Sequence, residues 1–187
     1  MSPPLVQVVL IPGLYDSGPE HWQSHWETER PDCVRLRQQE WVTPRCADWT
    51  AVLEEVLRGL GGEAVLAAHS LGCATVAHWA AAASAQALRK VRGALLVAPS
   101  DVEAASYPPG TQGFSPMPRQ VLPFASIVVA SSDDEYVTSE RAAQFARDWG
   151  SRLVEVGARG HINSASRLGS WPEGQRLLAE LGATGPR

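Results

Sequence analysis

Four side chains in this sequence are of the types that open a carbonyl by nucleophilic attack. Ser70 supplies a hydroxyl within Ala68-His69-Ser70-Leu71-Gly72, His161 an imidazole within Gly157-Ala158-Arg159-Gly160-His161, and Asp133 and Asp134 two carboxylates. A serine hydroxyl is a weak nucleophile until a base takes its proton, and an imidazole does this best when a carboxylate holds its other nitrogen. Other histidines fit the chemistry less well. His69, beside Ser70, is expected to point away into packing, and His78 sits on an Ala-rich helix as a core or helix-end residue. His21 and His25 share a helix face, but Trp22 stands where a zinc protease carries glutamate and no third ligand is evident, so no metal is expected.

Residues so far apart need a fold that gathers them. Residues 6–11 are an almost continuous β-branched apolar run, the pattern of a buried parallel strand. Ser17-x-x-Glu20 predicts a capping box for a helix over about 18–29. A weaker strand follows at 34–36. A helix over 48–60 carries Trp49, Val52, Leu53, Val56 and Leu57 on one stripe, and Gly61-Gly62 ends it. The pattern continues with a strand at 64–68, a helix over 71–86, strands at 93–98 and 127–130, a helix over 138–149 and a strand at 153–156. Ser170-x-x-Glu173 predicts a second capping box for a last helix ending near 181, and the tail Gly-Ala-Thr-Gly-Pro-Arg is expected to fray. Residues 101–123 hold five prolines and read as an irregular surface excursion.

Alternating strands and helices, with strands apolar on both faces, predict a mostly parallel sheet covered by helices on both sides, in one domain over 1–187. Such sheets bind ligands beyond the carboxyl ends of their strands. Ser70 follows the strand at 64–68, Asp133 and Asp134 follow 127–130, and His161 follows 153–156. Ser, Asp, His is the chain order of α/β-hydrolases. Ala-His-Ser-Leu-Gly then reads as a variant nucleophile elbow, with Gly72 in the second glycine place and Ala68 in the first. The Leu71 N–H, and that of Leu14 after the Pro12-Gly13 turn, are the expected oxyanion donors. Successive side chains at a strand end point different ways, so only one of Asp133 and Asp134 can face His161.

Composition narrows the partners. Hydrophobic residues are 44% and charged residues 19%, which excludes a disordered chain. The net charge of −4 is spread along the chain, so neither a nucleic-acid surface nor a polybasic membrane anchor is expected. No apolar run approaches a membrane span, and the amino terminus lacks the features of a signal peptide. Three cysteines without Cys-x-x-Cys spacing argue against a disulfide framework, and a cytoplasmic setting is expected.

Several segments carry a resemblance. VLIPGLYDSGPEHWQSHWE, AAHSLGCATVAHWA, VAPSDVE, VVASSDDEYVTSERAAQFARDWGS and GARGHINSASRLGSWPEG together look like the small serine hydrolases of the retinoblastoma-binding protein 9 and YdeN type, over nearly the whole chain. PEHWQ and GHINSASRLGSWPEG are specific to that group. The resemblance implies a compact α/β-hydrolase without a cap domain and a triad on Ser70, Asp134 and His161. It favours Asp134 because relatives commonly carry Asn-Asp-Pro here and keep the second acid. The Leu-x-Cys-x-Glu motif for the retinoblastoma pocket is absent, so that partner is not implied. The expected function is a serine hydrolase cleaving a small ester or amide through an acyl-enzyme, without a cofactor. Trp22, Tyr107 and Phe114 are candidates to wall the substrate pocket. The alternatives are a protein-interaction module with little activity, or an aminopeptidase or amidase in place of an esterase.

Overall fold

The computed structural model describes residues 6–183. Of the tail 182–187 expected to fray, Gly182 and Ala183 belong to the last helix, and 184–187, like residues 1–5, lie outside the described residues. Six strands form one sheet: β1 (Gln7–Ile11), β2 (Cys33–Arg35), β3 (Ala64–His69), β4 (Val91–Val97), β5 (Ala125–Ala130) and β6 (Arg152–Glu155). Their order is β2-β1-β3-β4-β5-β6, and every neighbouring pair is parallel. The helices are α1 (Trp22–Glu29), α2 (Cys46–Gly59), α3 (Leu71–Ala82), α4 (Ala85–Leu88), α5 (Ser139–Trp149) and α6 (Pro172–Ala183).

Alternate residues of the strands face two separate cores. Val9, Ile11, Leu66, Ala68, Leu96 and Val128 pack with Trp49, Leu53 and Leu57 of α2, Val76 of α3 and Phe145 and Trp149 of α5. Val8, Leu10, Val65, Ala67, Leu95 and Val129 pack on the other face with Trp22 and Trp26 of α1 and Leu177, Leu178 and Leu181 of α6. This three-layer arrangement explains why β3 is buried along its whole length and reads as apolar without alternation. No helix among the described residues is long and apolar enough to cross a membrane.

Local details differ from the expectation at four places. α1 begins at Trp22, because Tyr15 and Asp16 hold left-handed conformations (φ 66° and 64°) that turn the chain first. Its cap is His21, whose Nδ1 accepts from the Gln23 N–H at 3.1 Å, while the Ser17 hydroxyl donates to Gln23 Oε1 at 2.6 Å. Ser170 does not cap α6 either; its hydroxyl donates to Glu29 at 2.5 Å, and Pro172 opens the helix, where a missing N–H costs nothing. The helix expected over 71–86 breaks after Ala82, and Ser84 caps α4 by accepting from the Ala87 N–H at 3.2 Å. The excursion between β4 and β5 lays Phe114, Met117 and Leu122 into the core beside α2 and α3, without a core of its own.

Candidate active site

β3 passes into α3 through Ser70 at φ 56° and ψ −121°, a conformation a non-glycine residue adopts only under restraint. The restraint comes from close contact with the loop after β1. A Cβ on Gly72 would collide with the carbonyls of Ile11 and Pro12, and one on Gly13 would lie 2.8 Å from the Ser70 Cβ. Glycine at both positions lets the two turns nest. The Ser70 N–H is held by the Val97 carbonyl of β4 at 3.0 Å. Ser70 makes no side-chain capping bond to α3, so its hydroxyl is available elsewhere.

That hydroxyl lies 2.8 Å from His161 Nε2. On the other side of the ring, Nδ1 is 2.9 Å from both oxygens of Asp134, whose carboxylate has no exposed surface. A carboxylate at Nδ1 fixes the proton there and leaves the Nε2 lone pair for the Ser70 hydroxyl. The Tyr136 ring packs on the imidazole, 4.5 Å between centroids. Asp134 also accepts from the Tyr136 N–H at 2.8 Å, which orients the carboxylate.

The neighbouring acid has a different role in the structure. Asp133 is exposed and accepts from the Ser131 hydroxyl at 2.8 Å and the Gly160 N–H at 2.7 Å; these bonds lower its pKa. Ser131 Oγ in turn accepts from the Arg159 N–H at 2.8 Å. One acid therefore holds the imidazole and the other holds its loop. From beneath, His69 Nε2 donates to the His161 carbonyl at 2.8 Å and Trp22 Nε1 to the Ile162 carbonyl at 3.0 Å. His69 is buried as expected, and it also borders the site and braces the His161 backbone. Burial pushes its pKa well below the usual value, so it stays neutral.

A cavity of about 340 Å³ opens over Ser70 and His161, and the chain's three tyrosines, Tyr15, Tyr107 and Tyr136, all line it. Leu14 lines it too. Among the described residues the Leu14 and Leu71 N–H groups have no hydrogen-bond partner, and a Cβ on Gly13 would lie 3.2 Å from the Leu71 nitrogen. Two pocket assignments are corrected. Trp22 is buried against Trp26 and Trp171 because α1 packs that face under the sheet. Phe114 is buried against Trp49 and His78, filling the opposite core layer. Neither lines the cavity, whereas Tyr107 does.

Arg35 sets the loop that follows Leu14. Its buried guanidinium donates to Asp16 at 2.5 Å, the Ser17 carbonyl at 2.6 Å and Glu27 at 3.1 Å, which pins the left-handed turn at Tyr15 and Asp16. His21 sits close by with its ring 4.6 Å from that of His69. Burial, followed by the charges of Arg35 and His161, pushes the His21 pKa down to about 3, with Asp16 opposing. His25 turns instead toward Glu29, and no group of three His, Cys, Asp or Glu residues among those described could hold a metal.

Ser100 carries no assignment in the sequence reading. It lies just past β4, after Ala98 at φ 47°, and its hydroxyl is 2.6 Å from Ser70 Oγ. Its position beyond a strand's carboxyl end was the available signal. The assembled groups can take a proton from Ser70 to His161, stabilise the imidazolium through Asp134 and meet a developing oxyanion with free N–H groups.

The family model for serine hydrolases matches residues 8–180. The chain belongs to the serine hydrolase family. Among solved structures, this serine hydrolase is similar to a protein described as a YdeN-like hydrolase from Pectobacterium atrosepticum. The two are 32% identical, with a TM-score of 0.81 over 94% of this chain and 90% of that one. It is also similar to the ydeN gene product of B. subtilis (19% identity, TM-score 0.68, 95% of this chain and 99% of that one). A thermophilic esterase from Thermogutta terrifontis matches with 15% identity and a TM-score of 0.63 over 95% of this chain and 88% of that one. At these last two identities the likeness is one of fold. No curated protein matches the chain significantly. The parallel six-stranded sheet and these neighbours make the architecture of this serine hydrolase that of a compact α/β-hydrolase.

Proposed function

We propose that the protein hydrolyses small esters or amides through a triad of Ser70, His161 and Asp134. The observation that carries this reading is the unbroken chain of short contacts from Ser70 Oγ to His161 Nε2 and from Nδ1 to both Asp134 oxygens. His161 takes the Ser70 proton as Oγ attacks the carbonyl carbon. Asp134 keeps the ring in the productive tautomer and balances its positive charge. The Leu71 and Leu14 N–H groups receive the oxyanion; one such donor is typically worth about 3–4 kcal/mol of barrier. His161 then returns the proton to the leaving group, and water resolves the acyl-Ser70.

The cavity volume of about 340 Å³ supports a small acyl or ester group. No second reading is favoured by a specific observation, although a catalytically poor interaction module would share the fold. A fluorophosphonate probe tests the proposal. Wild-type protein should be labelled on Ser70 and Ser70→Ala should not, and a panel of p-nitrophenyl esters, aminoacyl esters and amides then defines the bond cleaved. A folded wild type that takes no label would favour the interaction module.

A further inference from the structure

The Ser70 hydroxyl has two close polar neighbours, and the triad uses only one. Because Nδ1 of His161 carries the proton held by Asp134, Nε2 is an acceptor and the single Ser70 proton points to it. Ser70 Oγ therefore has only lone pairs left to offer Ser100, 2.6 Å away. The direction of that bond follows: the Ser100 hydroxyl donates and Ser70 Oγ accepts. Ser100 is buried, at 1% exposure, on the wall of the cavity over Ser70. Tyr107 lines the same cavity as Ser100, and burial raises its pKa, so the phenol stays protonated there.

We propose that Ser100 is a further catalytic residue whose hydroxyl donates to Ser70 Oγ and assists the departure of that oxygen from the acyl-enzyme. The inference rests on the triad reading above. A hydrogen bond accelerates a step only if it strengthens toward the transition state. In the acyl-enzyme, Oγ is the bridging oxygen of an ester and a poor acceptor. During deacylation, water adds to the acyl carbon and its proton passes to His161 Nε2. The C–Oγ bond then breaks, its electron pair goes to Oγ, and His161 returns the proton there. As charge collects on Oγ, the Ser100 bond becomes charge-assisted and strengthens. Ser100 keeps its own proton throughout.

The same bond also meets the charge on Oγ during acylation, but its gain there is smaller, because the resting Ser70 hydroxyl already accepts it better than the ester does. Ser100 and Leu14 approach Ser70 from opposite sides of β3: Leu14 follows β1, and Ser100 follows β4. This placement separates the donor to Oγ from the Leu14 donor to the carbonyl oxygen.

The two half-reactions therefore separate in a Ser100→Ala variant. Stopped-flow hydrolysis of p-nitrophenyl acetate follows acylation as a burst and deacylation as the steady state. Fluorophosphonate labelling reads attack alone, and mass spectrometry of quenched samples reads acyl-Ser70. Deacylation should slow about tenfold, as expected for the loss of one hydrogen bond to a developing charge. Labelling should slow much less than deacylation, acyl-Ser70 should accumulate, and Ser100→Thr should restore deacylation. If labelling falls as much as deacylation in Ser100→Ala, or if neither changes, the proposal is overturned. A wild type that takes no label at Ser70 instead overturns the triad reading, and this inference with it.

Discussion

Acidification from pH 7.5 to pH 5.5 should weaken the fold through His21 and His69, and the size of the effect follows from their burial. Burial pushes both imidazoles down, His21 to about 3. In the unfolded chain they titrate near pH ~6.5. Since the unfolded chain then binds more protons, this stability is complete above the unfolded value and is lost as pH falls below it. Across the two pH units each histidine should remove about 1.4 kcal/mol, and the pair about 3 kcal/mol, provided the folded pKa lies well below 5.5. Carboxylates contribute little in this window because their unfolded values lie near pH ~4. Urea unfolding at pH 5.5, 6.5 and 7.5 measures the slope. The informative variant is His21→Asn: asparagine is a good amino-terminal cap, so α1 keeps its start while the ring is lost. Its pH dependence should be shallower than the wild type's by about 1.4 kcal/mol over the window. An unchanged slope would mean that His21 binds protons equally in the folded and unfolded chains, and would refute the argument from its burial.

Other perturbations probe the site and its supports. Asp134→Asn should lower turnover of the best ester about 10⁴-fold with the melting temperature nearly kept, because the amide favours the wrong imidazole tautomer. Asp133→Asn should cost far less turnover, and the reverse ranking would reassign the acid. Gly72→Ala should destabilise by about 1–3 kcal/mol in urea, since the added methyl meets the carbonyls of Ile11 and Pro12. Arg35→Leu should cost about 3 kcal/mol and lower kcat/KM, because it frees the Asp16 turn that follows Leu14. Unaltered urea midpoints would show that these contacts are dispensable.

Strand positions were legible because both faces of the sheet are covered, so 6–11, 64–68 and 127–130 appear as solid apolar runs. The carboxyl ends of the strands then pointed to Ser70, the pair Asp133 and Asp134, and His161, and the structure brings Ser70, Asp134 and His161 within hydrogen-bond reach. Helix starts were less legible. Ser17 and Ser170 carry the capping pattern, but the left-handed turns at Tyr15, Asp16 and Trp171 decide where α1 and α6 begin, and sequence spacing does not report φ. Choosing between Asp133 and Asp134 needed the resemblance, since both are acids at one strand end. Trp22 and Phe114 were misplaced because an aromatic near a rim has the same sequence signature whether it faces the cavity or the core. Ser100 went unassigned because a serine after a proline reads as an ordinary turn.

All of the chain's phenol side chains surround the cavity above Ser70, while none of its seven indoles borders it. Biosynthetic replacement of tyrosine by a fluorinated analogue would thus put three nuclear-spin labels around the reaction chamber and none elsewhere. Each acyl group entering it would register in a background-free spectrum. The molecule carries its own occupancy gauge.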